Sequence, residues 1–241
     1  MRERQVTLLM LLEVIATSVR DAVEAEKGGA DRLELISAFA QGGLTPDIAL
    51  VAQIVRTVTL PVHVMIRPHS RTFEVSREDL AHMTESMKAL EAAGASAFVL
   101  GAITADKKID EAALDQLLAV SRLPVTFHRA FDALANQETA LADLQRYPQI
   151  RSVLTSGGAE RAPDAVAQFQ RLLPLTRGGT LRLLAGGGLT PENVQAFAQV
   201  TGVSCVHFGT GVRAGRRIDG GVDRALVRQV RERLDAIGRG G

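Results

Sequence analysis

The chain has 241 residues, 46% hydrophobic and 23% charged, an ordinary soluble globular composition with enough apolar residues for a sizeable core. Its 28 basic and 27 acidic residues give a formal charge of +1, which supplies no overall drive toward nucleic acid or an anionic membrane, and neither is expected as a partner. The single cysteine, Cys205, excludes an intrachain disulfide and fits a reducing cytoplasm, where the protein is expected.

The opening run "MRERQVTLLMLLEVIA" has a basic start and an apolar stretch, loosely like a signal peptide, but Glu13 interrupts it. Residues 1–9 read as a polar leader or a misassigned start, with Met10 as the alternative first residue. "LLEVIA" (11–16) is the first strand. In the helix that follows, Ser18 and Asp21 have capping-box spacing, and Gly28 with Gly29 ends the element. "DRLELI" (31–36) is the second strand. After "GGL", Thr45 reads as an N-cap with Pro46 at the first helical position.

"PVHVMIRP" (61–68) is the third strand, and the next helix aligns Leu80, Met83, Met87 and Leu90 on one face. Met83 and Met87 are read as core packing rather than a thioether metal site. "AFVLG" (97–101) and "IDEAALDQLLAVS" form a fourth pair, "PVTFHRAF" (124–131) and "QETALADLQRY" a fifth. "SVLTSG" (152–157) and "DAVAQFQRLLPL" form a sixth. "LRLLAGG" (181–187) with "TPENVQAFAQV" is the seventh, and "CVHFG" (205–209) with "DRALVRQVRERLDAI" the eighth. Residues 238–241 read as a flexible tail.

Eight strand-then-helix units of roughly 25 to 35 residues match the rhythm of a single-domain TIM (β/α)8 barrel spanning 1–241. The alternative is a doubly wound open sheet, but no dinucleotide fingerprint is present. "GGLTPD" at 42–47 recurs as "GGLTPE" at 187–192, as a repetitive closed architecture would have it.

In such barrels the site lies at the C-terminal strand ends. Alternation puts His63, Met65 and Arg67 on one face of the third strand, and Thr126 and His128 on one face of the fifth. Asp132 falls in the loop beyond. Glu13, Glu34 and His207 sit within strands, and Thr155 and Ser156 close the sixth. Glu13, Glu34, His63, His128 and Asp132 are the candidates for acid–base catalysis, and Arg67 and Arg129 for an anion clamp. The competing reading is a set of buried ion pairs with no chemistry.

The glycine turns after the seventh and eighth strands add Gly187, Gly188, Gly209 and Thr210 as backbone anion binders, alongside Thr155 and Ser156. Against this, the same "GGLTPD" follows the second strand, where it need only turn the chain. Arg213, Arg216 and Arg217 lie nearby. None of the four lysines falls within a strand, which removes a strand-borne Schiff base. GxSxG, CxxC and HExxH are absent, so serine-hydrolase, dithiol and zinc-protease readings have no support.

"LLEV", "GADRLEL", "GGLTPD", "PVHVMIRP", "VTFHRAFD", "VLTSGG" and "LLAGGGL", in order from residue 11 to 189, closely resemble the CutC copper homeostasis family. The resemblance implies a cytosolic TIM barrel that forms a homo-oligomer, dimer or tetramer, with a role in copper homeostasis. It also implies copper as a ligand, bound in some members through cysteines on the first two strands. Those stretches here read "LEVIA" and "LELISA", with Ile15, Ala16 and Ile36 in place of thiols, so Cys205 and His207 remain as weak candidates. The competing function is an enzyme of unassigned reaction, moving protons on a small anionic or phosphorylated substrate.

Overall fold

Eight short strands and eight helices alternate through residues 10–239, the residues described by this computed structural model. The strands are β1 (Leu11–Ala16), β2 (Arg32–Leu35), β3 (Val62–Met65), β4 (Ala97–Leu100), β5 (Val125–Phe127), β6 (Ile150–Thr155), β7 (Arg182–Gly186) and β8 (Cys205–Phe208). They pair in parallel in chain order, and β8 pairs with β1 to close the barrel. The helices are α1 (Val19–Gly28), α2 (Ile48–Thr57), α3 (Arg77–Ala92), α4 (Glu111–Leu118), α5 (Gln137–Gln145), α6 (Val166–Leu172), α7 (Val194–Thr201) and α8 (Arg224–Arg239). The closed barrel, not the doubly wound sheet, is the fold.

Period-two alternation sorts the strand residues into two sets. Leu12, Val14, Leu33, Leu35, Val64, Phe98, Val206 and Phe208 join the helix residues Ala22, Ala25, Met83, Met87 and Leu90 in one continuous core between barrel and helices. The intervening residues form two small inner clusters. Ile15, Ile36, Met65 and Val99 make one, and Leu154, Leu184 and Cys205 the other. Each fully buried aliphatic side chain contributes on the order of 1.5–3 kcal/mol. The outer core therefore carries most of the stability, and the barrel interior has room for polar groups.

Local details depart from the expected pattern. Thr45 does not cap α2; its Oγ1 donates to the Arg67 carbonyl at 3.1 Å and accepts from the Arg67 N–H at 2.9 Å. It thereby ties the β2 loop to the end of β3, and Asp47 caps the helix two residues later. Ser18 caps α1, but Asp21 does not complete a capping box. Its carboxylate instead accepts from Thr17, from the Val222 N–H and from Arg213, fastening the β8 loop to α1.

The fifth strand stops at Phe127, and Arg129–Ala133 is a 3-10 turn whose N-cap is His128. The sixth helical unit is split, with α6 flanked by 3-10 turns at Ala162–Ala165 and Leu173–Thr176. Helix α8 continues to Arg239, so the tail expected from 238 is helical for two more residues. The leader expected at 1–9 and the last two residues lie outside the described residues.

Gly211 marks a tight approach in the β8 loop, where an added Cβ would lie 2.0 Å from the Leu189 carbonyl oxygen. Gly211→Ala should cost about 1–3 kcal/mol or more, because backbone rather than a flexible side chain would have to yield. Gly179→Ala, whose Cβ would meet nothing closer than 3.6 Å, should be near neutral in the same urea-unfolding comparison.

Candidate functional site

The strand ends open into a cavity of about 250 Å³. That is slightly below the ~300–1,000 Å³ of pockets for drug-sized ligands, a size suited to a small metabolite. Of the residues singled out from sequence, Glu34, Arg67, His128, Arg129, Gly187, Gly188, His207, Gly209 and Thr210 line it. Glu13, His63, Asp132, Thr155, Ser156 and Cys205 do not.

Beneath the cavity lies a charged cluster set by strand register. Glu13 is opposite Arg32 on β2 and His207 on β8, and Glu34 is opposite His63 on β3. The Arg32 Nε–H donates to Glu13 Oε2 at 2.5 Å, and His207 Nδ1 lies 2.8 Å from Glu13 Oε1. Burial by itself pushes the Glu13 carboxyl up, but Arg32, the His207 hydrogen bond and the His207 and His63 charges outweigh it and hold Glu13 ionised. An ionised Glu13 fixes the His207 tautomer: Nδ1 carries the hydrogen and donates it. Nε2 then faces Glu34 Oε2 at 3.6 Å.

Burial, assisted by the charge of Glu13, raises the Glu34 carboxyl to about 7 despite opposition from His207 and Arg32. Burial lowers His207, yet Glu34 and Glu13 together raise it on balance. His63 is lowered to about 4, first by burial and also by Arg32. Glu34 Oε1 is buried with no hydrogen-bond partner in the protein, so one carboxylate oxygen bordering the cavity is uncommitted. Glycines make space for the imidazole rings. A Cβ on Gly186 would lie 3.0 Å from His207 Cδ2, and one on Gly101 would lie 2.7 Å from His128 Nδ1.

Arg32 is the member of this cluster that the sequence reading passed over. It stands two residues before Glu34, so alternation already puts both on the inward face.

At the rim, the Arg67 guanidinium lies 4.5 Å over the Phe73 ring, and Phe73 packs at 5.1 Å on the His128 ring. Arg67 reaches the Gly42 carbonyl only at 3.4 Å, and its Nε is buried without a partner. His128 is lowered to about 3 by burial and then by the Arg67 charge, so it is neutral, and its Nδ1 accepts from the Ala130 N–H at 3.3 Å.

Arg129 donates from Nε to Asp132 at 2.8 Å and from Nη2 to Ser156 at 2.8 Å. Its Nη1 lies toward Gly187, where an added Cβ would sit 3.8 Å away. Asp132 also accepts from Thr155 Oγ1, Ser156 N–H and Gly158 N–H. With these bonds Asp132, Thr155 and Ser156 position Arg129 and the β6 loop. Arg213, Arg216 and Arg217 pair with Asp21, Glu192 and Asp219 and stay off the cavity wall.

The fold is that of a (β/α)8-barrel protein with a cavity at the C-terminal mouth of its strands. The CutC family model matches residues 10–212, and the chain belongs to the CutC family. It is 38% identical over 198 residues to the copper homeostasis protein cutC homolog of Homo sapiens, covering 82% of this chain and 72% of that one. It is 35% identical over 205 residues to the family protein CutC of Salmonella enteritidis, covering 85% and 81%. The crystal structure of the copper homeostasis protein CutC of Streptococcus agalactiae superposes with a TM-score of 0.78 at 29% identity, covering 87% of this chain and 99% of that one.

Copper(I) selects thiolate and thioether sulfur. Cys205, the sole cysteine, is packed with Leu154 and Leu184, and burial raises its thiol further from the thiolate form. His207 turns its Nδ1 to Glu13, and Glu13, Glu34 and His207, whose donor atoms fall within 4.8 Å, offer only oxygen and nitrogen. These residues do not fit a thiolate copper(I) centre.

The raised Glu34 makes a pH prediction. Between about 4.5 and 7 the folded chain keeps a proton that the unfolded chain has released, so this group's contribution to stability is lost as pH rises through that window. Glu34→Gln cannot titrate. Its stability relative to wild type should increase from pH 4.5 to 7 and then level off, by up to a few kcal/mol at about 1.4 kcal/mol per pKa unit. Urea unfolding across that range measures it, and a constant difference would refute the buried, raised carboxyl.

Proposed function

We propose that this chain takes part in copper homeostasis, the role for which its human and streptococcal relatives are named, and that it does so through the cavity at the barrel mouth rather than through a thiolate copper centre. The observation that carries this reading is the contrast between the two parts of the barrel. Arg67, Arg129, Glu34 and His207 line the cavity, and one Glu34 oxygen is uncommitted, while the only cysteine is buried beside leucines. Two arginines and the glycine turns at Gly187–Gly188 and Gly209–Thr210 favour a small anionic ligand.

A second reading is favoured by one specific feature, the Glu13–His207–Glu34 arrangement, in which a carboxylate orients an imidazole beside a second, raised carboxyl. That is machinery for acid–base catalysis on a small anionic or phosphorylated substrate in the same cavity. We assign the chain to the cytoplasm as a homo-oligomer, the first supported by its lone unpaired cysteine and the second by the family resemblance. Among the described residues no helix is long and apolar enough to cross a membrane.

The test is copper tolerance in a host lacking its own relative, paired with copper(I) titration of the purified chain under reducing conditions. Wild type and Cys205→Ala should restore tolerance equally, Glu34→Gln should not, and neither wild type nor Cys205→Ala should bind copper(I) tightly at one equivalent. Tolerance lost with Cys205→Ala, or kept with Glu34→Gln, would overturn the proposal.

A further inference from the structure

Strands β2 and β8 both flank β1, so Glu34 and His207 come from the same wall of the barrel. Their facing atoms, Glu34 Oε2 and His207 Nε2, are 3.6 Å apart, and both residues line the cavity. Two proton-transferring groups this close reach one face of a bound molecule, at atoms one or two bonds apart. Racemisation by two bases needs groups on opposite faces, and this geometry does not provide them. It suits movement of a proton between neighbouring atoms. His207 is held for that task by Glu13, itself held by Arg32.

The anion anchor lies beside the same wall. Arg129 Nη1 faces Gly187, the first residue after β7, which is the neighbour of β8. Gly187 and Gly188 both have positive φ, at 96° and 69°, a conformation that glycine permits. An anionic group there leaves the adjoining carbons of a small substrate over Glu34 and His207. Neither group needs a redox partner for a proton shift.

We propose that the cavity isomerises a small anionic α-hydroxy carbonyl compound by proton transfer through Glu34 and His207, an inference that rests on the reading of the cavity as a small-anion site. In the first step His207 Nε2, left free by the Nδ1–H bond to Glu13, removes the proton from the carbon next to the carbonyl. The C–H electron pair forms the new C=C bond, the carbonyl π pair moves to oxygen, and that oxygen takes the proton of the Glu34 carboxylic acid. In the second step the neighbouring hydroxyl returns a proton to the Glu34 carboxylate, its oxygen becomes the new carbonyl, and the C=C pair takes the proton from His207 Nε2 at the former carbonyl carbon. Both groups end as they began, and atoms and electrons balance.

The experiment follows deuterium exchange by proton NMR in D2O, with the full chain and three probes: dihydroxyacetone phosphate, hydroxypyruvate and uncharged dihydroxyacetone. Wild type should accelerate exchange next to the carbonyl for an anionic probe, the phosphate and carboxylate arms identifying which anion is preferred, and should act weakly on the uncharged one. Glu34→Gln and His207→Asn, checked for folding by circular dichroism, should each lose about 100-fold or more. Arg129→Ala should raise KM more than it lowers kcat, and Cys205→Ala should match wild type.

No exchange with any probe, or exchange unchanged in Glu34→Gln, sinks the proposal. A thermal shift with inorganic phosphate separates the two levels. A shift present in wild type and lost in Arg129→Ala, without exchange, sinks the isomerisation and leaves the anion site standing. Absence of both sinks the anion site as well.

Discussion

The Arg32–Glu13 ion pair inside the barrel is the interaction on which the polar centre depends. A carboxylate with no solvent exposure is tolerated only when its charge is met at close range, because desolvation alone costs several kcal/mol. Arg32 meets one oxygen of Glu13 and His207 meets the other. From that pairing follow the tautomer of His207, the direction of its free nitrogen and the pressure of a fixed negative charge on Glu34. Replacing Glu13 by an apolar residue of similar size would leave Arg32 buried and uncompensated, so the pair operates as a unit.

The fold confines this polarity to a place where it does little damage. Stability resides chiefly in the apolar layer between strands and helices, which runs continuously around the barrel. The interior contributes only two small apolar clusters and can accommodate ionisable side chains between them. The loops then add a second arrangement at the mouth. There Asp132 collects hydrogen bonds from the β6 loop and aligns Arg129, while Phe73 stacks against both Arg67 and His128. The rim thus carries Arg67 and Arg129 above a floor of buried ionisable groups.

Much of this is legible in the sequence alone. The eight units could be read because strand runs and amphipathic helices repeat with turn residues between them, and the alternation in "LELI" and "VHVM" already put Glu34 and His63 on inward faces. Asp132, Thr155 and Ser156 were less legible as positioning groups. Their mutual bonds join residues 23 and 24 positions apart, and no local pattern encodes which hydroxyl a carboxylate will meet. Arg32 was within reach of the same alternation that found Glu34, but its position at a strand's start disguised it as a solvated charge. Thr45 departs from its expected cap role because a threonine before Pro46 has the same local sequence whether it caps a helix or binds the end of the next strand.

By itself the sequence determined the barrel, the family and the inward set of titratable residues, because hydrophobic periodicity and strand alternation are local properties of the chain. Only the tertiary structure decided which of those residues share a site. Register across the β8–β1–β2 closure sets Arg32 and His207 opposite Glu13 and Glu34 opposite Ile15, two residues further along, and that register is fixed by the packing of the whole ring. It also decided that Cys205 is shut among leucines while Glu34 keeps an uncommitted oxygen beside the cavity, since burial depends on what every other strand places around them.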